Sequence, residues 1–161
     1  KQTGKAKYTK EAQPMLNALK EDIRKKGFAQ YEQKDYKNAV ETFYLRYQLD
    51  KKDTLFLSNA ALIAFQSKNF DKALEYYNEL NDLGYTGIAT EYLATNKDGE
   101  VVNLGSKSQR DLFVRSGEYS NPQDKVSESK RALIMKNIAL SLKEQGKIDE
   151  ALAAMEKARK E

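Results

Sequence analysis

Cysteine and histidine are both missing from the 161 residues, and with them goes much of enzyme chemistry. There can be no disulfide, no thiolate or imidazole metal ligand, no Cys or His nucleophile, and no imidazole base titrating near neutral pH. A cysteine-free chain suits oxidising and reducing compartments equally, so the absence says nothing about location. No apolar run approaches the roughly 18 residues that span a bilayer, and no transmembrane segment is expected. Acid–base catalysis would need carboxylates paired in a cleft, whereas the acidic residues here mostly fall on helix faces where opposite charges alternate. Asp98-x-Glu100 falls far short of the six to eight oxygens calcium takes and reads as turn chemistry. No catalytic residue, metal or cofactor is expected.

What remains is 40% hydrophobic and 32% charged, enough for one helix-rich domain with a core. The net charge of +4 is uneven, since residues 1–26 hold eight Lys/Arg against three Asp/Glu. The basic leader KQTGKAKYTK could meet phosphate or an anionic membrane, but its ordinary reading is a solvated end. No aromatic-basic surface accompanies it, so nucleic acid is not an expected partner. A chain that begins at Lys1 is expected to have been processed or trimmed, by loss of a signal peptide or as an excised domain.

Helix signals begin near Pro14, a residue tolerated in the first turn. Met15, Leu16, Leu19, Ile23, Gly27 and Tyr31 then step by threes and fours and predict one helix to about Glu32. After a turn at Lys34-Asp35, Tyr36, Ala39, Val40, Phe43 and Tyr47 continue the spacing through a second helix. Asp53 or Thr54 can cap a third, whose buried stripe is Leu57, Ala60, Ala61, Ala64 and Phe65. Phe70, Ala73, Leu74, Tyr77 and Leu80 line a fourth, which Gly84 ends. The abundant tyrosines Tyr36, Tyr44, Tyr47, Tyr76 and Tyr77 sit at helix-pairing spacing and are expected in or beside the core.

These helices repeat. Gly27, Asp35-Tyr36, Ala39, Glu41 and Phe43 recur 34 residues later as Ala61, Asn69-Phe70, Ala73, Glu75 and Tyr77. A third unit, Ile138-Ala139, Gly146, Ile148, Ala151, Met155 and Ala158, matches the second at an offset of 78, one period plus 44 inserted residues. Each unit resembles the tetratricopeptide pattern, with a small residue in the first helix and A-x3-F in the second: Gly27 with Ala39 and Phe43, Ala61 with Ala73 and Tyr77, Ala139 with Ala151 and Met155. Small residues let two helices approach, and the large residue one turn on fills the space beside them. Ile23, Leu57 and Met135 stand where the pattern has tryptophan, Tyr31 comes one residue late, and no proline closes a repeat.

The resemblance implies an all-α fold, a superhelix of antiparallel helix pairs with three repeats at about 20–53, 54–87 and 132–161. An insertion at about 88–131 lies between the second and third, within a single domain over 1–161. Tyr92–Thr95 and Val101–Leu104 flank Asn96-Lys97-Asp98-Gly99 and read as a β-hairpin. Ser106-Lys107-Ser108-Gln109 reads as a capping box before a short helix ended by Gly117, and the rest, around Asn121-Pro122, as loop. The inserted charges balance, seven basic to seven acidic.

In such stacks the first helix of each pair lines a concave groove. Its candidate contacts are Arg24, Phe28 and Tyr31 from the first unit, Ser58, Asn59, Leu62 and Phe65 from the second, and Lys136, Leu140 and Lys143 from the third. Helical spacing alone does not separate core from groove at these positions. Some repeats of this family clamp a peptide's carboxylate with Lys, Arg and Asn. Arg24 and Asn59 fall where such residues sit, but Phe28, Leu133 and Asn137 stand where the clamp needs donors. Tyr92, Phe113 and Tyr119 of the insertion form a second candidate site. The resemblance implies a non-enzymatic protein–protein interaction module or scaffold taking a peptide or protein partner, with a glycan-binding component of an envelope nutrient-uptake system as the alternative. Leu83–Ile88, Thr90–Asn96 and Lys136–Leu140 also resemble exported or lipid-anchored repeat proteins of Bacteroidota. That likeness implies a periplasmic or outer-membrane-associated location, with the cytoplasm left open. No polar capping helix follows the last repeat, so further sequence, or self-association through the last helix, is expected.

Overall fold

The computed structural model describes the backbone of residues 3–159 and the side chains of residues 12–159. The chain divides into two compact units: one holds the residues up to Tyr85 together with those from Arg131 onward, and the other is Thr86–Lys130.

In the first unit helices pack one on the next, in the order α1 (Thr3–Glu32), α2 (Tyr36–Gln48), α3 (Thr54–Gln66), α4 (Phe70–Asp82), α6 (Arg131–Glu144) and α7 (Ile148–Ala158). The three-residue turns after α1, α3 and α6 close alike. Each places a left-handed residue at the same repeat position, Lys34 (φ 61°), Lys68 (φ 61°) and Gly146 (φ 78°). The next amide then bonds back five residues, Asp35 to Gln30, Asn69 to Ala64 and Lys147 to Leu142, as at a Schellman stop. Asp35 and Asn69 cap the helices that follow, accepting from the amides of Asn38 and Lys72. Asp53 stands before α3 without capping it and instead accepts from the Arg46 guanidinium at 3.1 Å.

The small residues sit where helices meet. Ala39 and Ala73 are 0% exposed and Ala151 8%. A Cβ added at Gly27 would lie 3.0 Å from the Phe43 ring, so that ring packs directly on the α1 backbone. Leu57, Leu80, Tyr47 and Tyr76 are fully buried beside them. Burial of each such side chain contributes about 1.5–3 kcal/mol. Where the third pair joins, α6 packs on α4, and Asn137 Nδ2 donates to the Tyr77 hydroxyl oxygen at 2.8 Å.

One helix boundary departs from expectation. α1 begins at Thr3, so Pro14 lies inside it and not in its first turn. The stretch before Pro14 is rich in Lys, Ala, Gln and Glu, strong helix formers that carry a helix without an apolar stripe. The side chains of residues 1–11, and with them the solvated or phosphate-contacting role considered for the basic leader, lie outside the described residues.

The second unit is a three-stranded antiparallel sheet, order β2-β1-β3, with one helix against it. β1 (Thr90–Thr95) and β2 (Val101–Asn103) form the hairpin. Its turn is held by Asn96, whose side-chain oxygen accepts from the amides of Asp98 (3.0 Å) and Glu100 (2.9 Å). Ser106 caps α5 (Lys107–Arg115) by accepting from the Gln109 amide, and Gly117 (φ 76°) follows its end. The segment read as loop around Asn121-Pro122 is instead strand β3 (Ser120–Val126), which pairs with β1. Asn121 and Pro122 fall where the register shifts opposite Leu93 and Thr95, on an edge strand. A bulge at an edge is where a strand admits a residue without an N–H, so a turn-like dipeptide conceals a strand.

Candidate functional site

The first helix of the first two pairs, with α2 between them, encloses an open cavity of about 200 Å³. Gly27 sets its floor by letting Phe43 come against α1. Phe28 stands edge-on to Phe43, centroids 5.0 Å apart at 79°, and projects outward at 40% exposure. Tyr31, one turn on, tilts against Tyr36 at 5.7 Å. From α3, Leu62 is 40% exposed and Ile63 buried, while Asn59 and Gln66 supply the polar rim. The wall is therefore apolar with two amides at its edge.

Four expected groove residues, Phe28, Tyr31, Asn59 and Leu62, meet in this cavity. Leu140 and Lys143 line a second one, about 220 Å³, between α6 and α7. The expected single surface is thus divided between two places. Lys136 is exposed on α6 and Ser58 half-buried on α3, and neither lines the first or the second cavity. Phe65 is half-buried, edge-on to Phe70 (6.1 Å) and Tyr77 (6.5 Å). Arg24 donates twice to Glu21, at 2.8 and 2.6 Å, and lies 5.7 Å over the Phe28 ring. That hydrogen bond holds the Glu21 carboxyl below its ordinary range and the Arg24 guanidinium above its own. Asn137 is buried and engaged with Tyr77, and Leu133 is exposed. The positions of a carboxylate clamp are accordingly filled by an ion-paired arginine, a half-exposed phenylalanine and a buried amide.

Phe43, Ile63 and Gln66 on the first cavity, and Ile148, Leu152 and Met155 on the second, were not among the expected contacts. The signal for the last three lay in the repeat, because they stand at the positions of Phe70, Leu74 and Tyr77.

In the second unit the aromatic candidates are half-buried and engaged. Tyr92 lies under the Arg110 guanidinium at 5.7 Å, and Phe113 meets Tyr119 at 5.6 Å. Arg110, only 5% exposed, donates to the Gln123 carbonyl, to Asp111 and to Asp124, tying α5 to β3. These rings and ions hold the unit together.

A tetratricopeptide repeat model matches residues 137–161. The matched repeat falls on α6 and α7, the pair that returns after the inserted unit, and it supports reading the chain as a helical repeat. No curated protein matches the chain. Among the described residues no helix is long and apolar enough to cross a membrane.

Proposed function

We propose that this chain is a non-enzymatic interaction module that holds a protein or peptide partner, whose apolar side chain seats in the cavity between α1 and α3. The observation that carries this reading is the pair Phe28 and Leu62, equivalent under the repeat, each 40% exposed on opposite walls of one apolar cavity. Sites for whole drug-sized ligands run to about 300–1,000 Å³. At about 200 Å³ this cavity suits one or two side chains of a larger partner better than a free metabolite. Asn59 and Gln66 at the rim can take the backbone amides beside the seated side chain. Tetratricopeptide repeats typically serve as interaction modules, which agrees with that geometry. The likeness to exported Bacteroidota proteins extends the proposal to an envelope location, and recovery of the native protein in the cytoplasmic fraction would remove that part.

The test is to pan a displayed library of short peptides against the chain and against Phe28→Ala/Leu62→Ala. Hot-spot truncations cost about 1–2 kcal/mol or more each, so peptides selected on the native chain should bind the double variant at least tenfold more weakly. Equal binding to both would sink the reading.

A further inference from the structure

We propose that Phe43 decides what the first cavity accepts, and that the cavity takes a tyrosine of the partner, whose phenol oxygen accepts a hydrogen bond from Asn59. The inference rests on the seating of a partner side chain between α1 and α3, and it names that side chain. The repeat holds a second version of the same joint. Tyr77 follows Phe43 by 34 residues, and Asn137 follows Asn59 by 78, the two offsets of the repeat. A ring and an amide at matching positions therefore recur, first where α3 packs on α2 and again where α6 packs on α4.

The two joints are completed differently. At the second, Asn137 Nδ2 donates to the Tyr77 hydroxyl oxygen at 2.8 Å, and the two residues are 5% and 3% exposed. That joint is closed from within. At the first, Phe43 brings no hydroxyl, and its ring packs on the backbone of Gly27, where the matching residue Ala61 carries a Cβ. What is left is the open cavity of about 200 Å³ with Asn59 half-buried on its rim. Among the described residues the Asn59 side chain has no hydrogen-bond partner.

The missing group is thus a phenol oxygen, and the walls suit the ring that would carry it. Phe28 and Phe43, edge-on to each other, can take an incoming ring edge-to-face, beside Leu62 and Ile63. A seated phenylalanine would cover the Asn59 amide and leave it unpaired, and a charged side chain would lose its hydration against an apolar wall. Tyrosine joins an apolar body to a polar tip and avoids both costs. Asn59 Oδ1 and the Gln66 amide stay available to the partner's backbone.

The test uses two free probes, 4-methylphenol for the tyrosine side chain and toluene for that of phenylalanine, titrated into the native chain by nuclear magnetic resonance. 4-Methylphenol should bind about threefold to tenfold tighter, the worth of one neutral hydrogen bond. Asn59→Ala should lose that preference. Phe43→Tyr supplies the oxygen from within, so it should weaken both probes at least tenfold with unchanged circular dichroism. Peptides selected on the native chain should share a tyrosine. Two probes that bind the native chain equally, or not at all, overturn the proposal, as does an Asn59→Ala variant that keeps the preference. Peptides that bind Phe28→Ala/Leu62→Ala weakly yet share no tyrosine overturn it and leave the seat in place. Peptides indifferent to that variant remove the seat and this inference together.

Discussion

Tyr47 and Tyr76 are buried phenols on α2 and α4, 1% and 0% exposed, and they differ in what their hydroxyls meet. Tyr47 donates to Glu79 Oε1 at 2.7 Å, from one helix pair to the next. Tyr76 stacks on Tyr44, centroids 4.4 Å apart at 20°, and its hydroxyl has no hydrogen-bond partner among the described residues. Burial pushes both phenols up to about 12, and in Tyr47 the Glu79 carboxylate pushes the same way. The folded values lie above the unfolded one of about 10, so the fold favours the neutral form. Stability is therefore intact below about pH 10 and is lost as pH rises from 10 toward 12, which denaturation midpoints at stepped alkaline pH would register. At neutral pH Tyr47→Phe should cost about 1.5 kcal/mol, since it deletes a hydrogen bond to a charged group. Tyr76→Phe removes a buried hydroxyl that makes no direct hydrogen bond and is attracted only by the Lys72 ammonium over its ring, so it should cost less than Tyr47→Phe. That these rings are core was legible from their helical spacing. The hydroxyl partners were not, because Glu79 is 32 residues from Tyr47 and on another helix.

The turns inside the helix pairs carry the next scale of argument. All three close with a left-handed residue followed by a helix N-cap, yet the cap is Asp35, then Asn69, then Lys147. Lys147 offers no oxygen to the exposed amides of α7 and puts a cation at the positive end of its dipole. Lys147→Asp should therefore stabilise the fold by about 0.5–1.5 kcal/mol. Urea unfolding at low protein concentration would show a raised midpoint with an unchanged slope. A midpoint that does not move would mean that α7 unfolds apart from the rest. The helices were legible because one apolar stripe recurs through the repeat. β3 was not, because its seven side chains are all exposed, so no alternation marks it, and Asn121-Pro122 carries the signature of a turn. Neither was the start of α1, where propensity acts without a stripe.

Across the whole molecule, the break in the repeat period marked an insertion, but the period alone does not say which candidate positions stay open. Phe28, Leu62 and Leu140 are equivalent under it. Phe28 and Leu62 share a cavity because α1 and α3 face each other across Phe43, and Leu140 opens on another because α7 carries an uncovered apolar face. Periodicity fixes which side of a helix a residue lies on, while openness depends on the side chains of the neighbour. The same repeat logic predicts that the helical unit stands without the insertion. The Lys130 amide donates to the Thr86 carbonyl at 2.7 Å, so the two ends of the inserted unit meet. α4 and α6 pack directly, tied by Asn137 to Tyr77 and by Gln145 to Asp71 at 2.6 Å. Replacing residues 86–130 with a short Gly/Ser linker should leave one cooperative unfolding transition and the helical circular dichroism of α1 to α7 without α5. A short linker costs little loop-closure entropy, since that term grows only slowly with length. If the excised chain instead lost cooperativity, the α4–α6 contact would be too weak to join the third pair to the second.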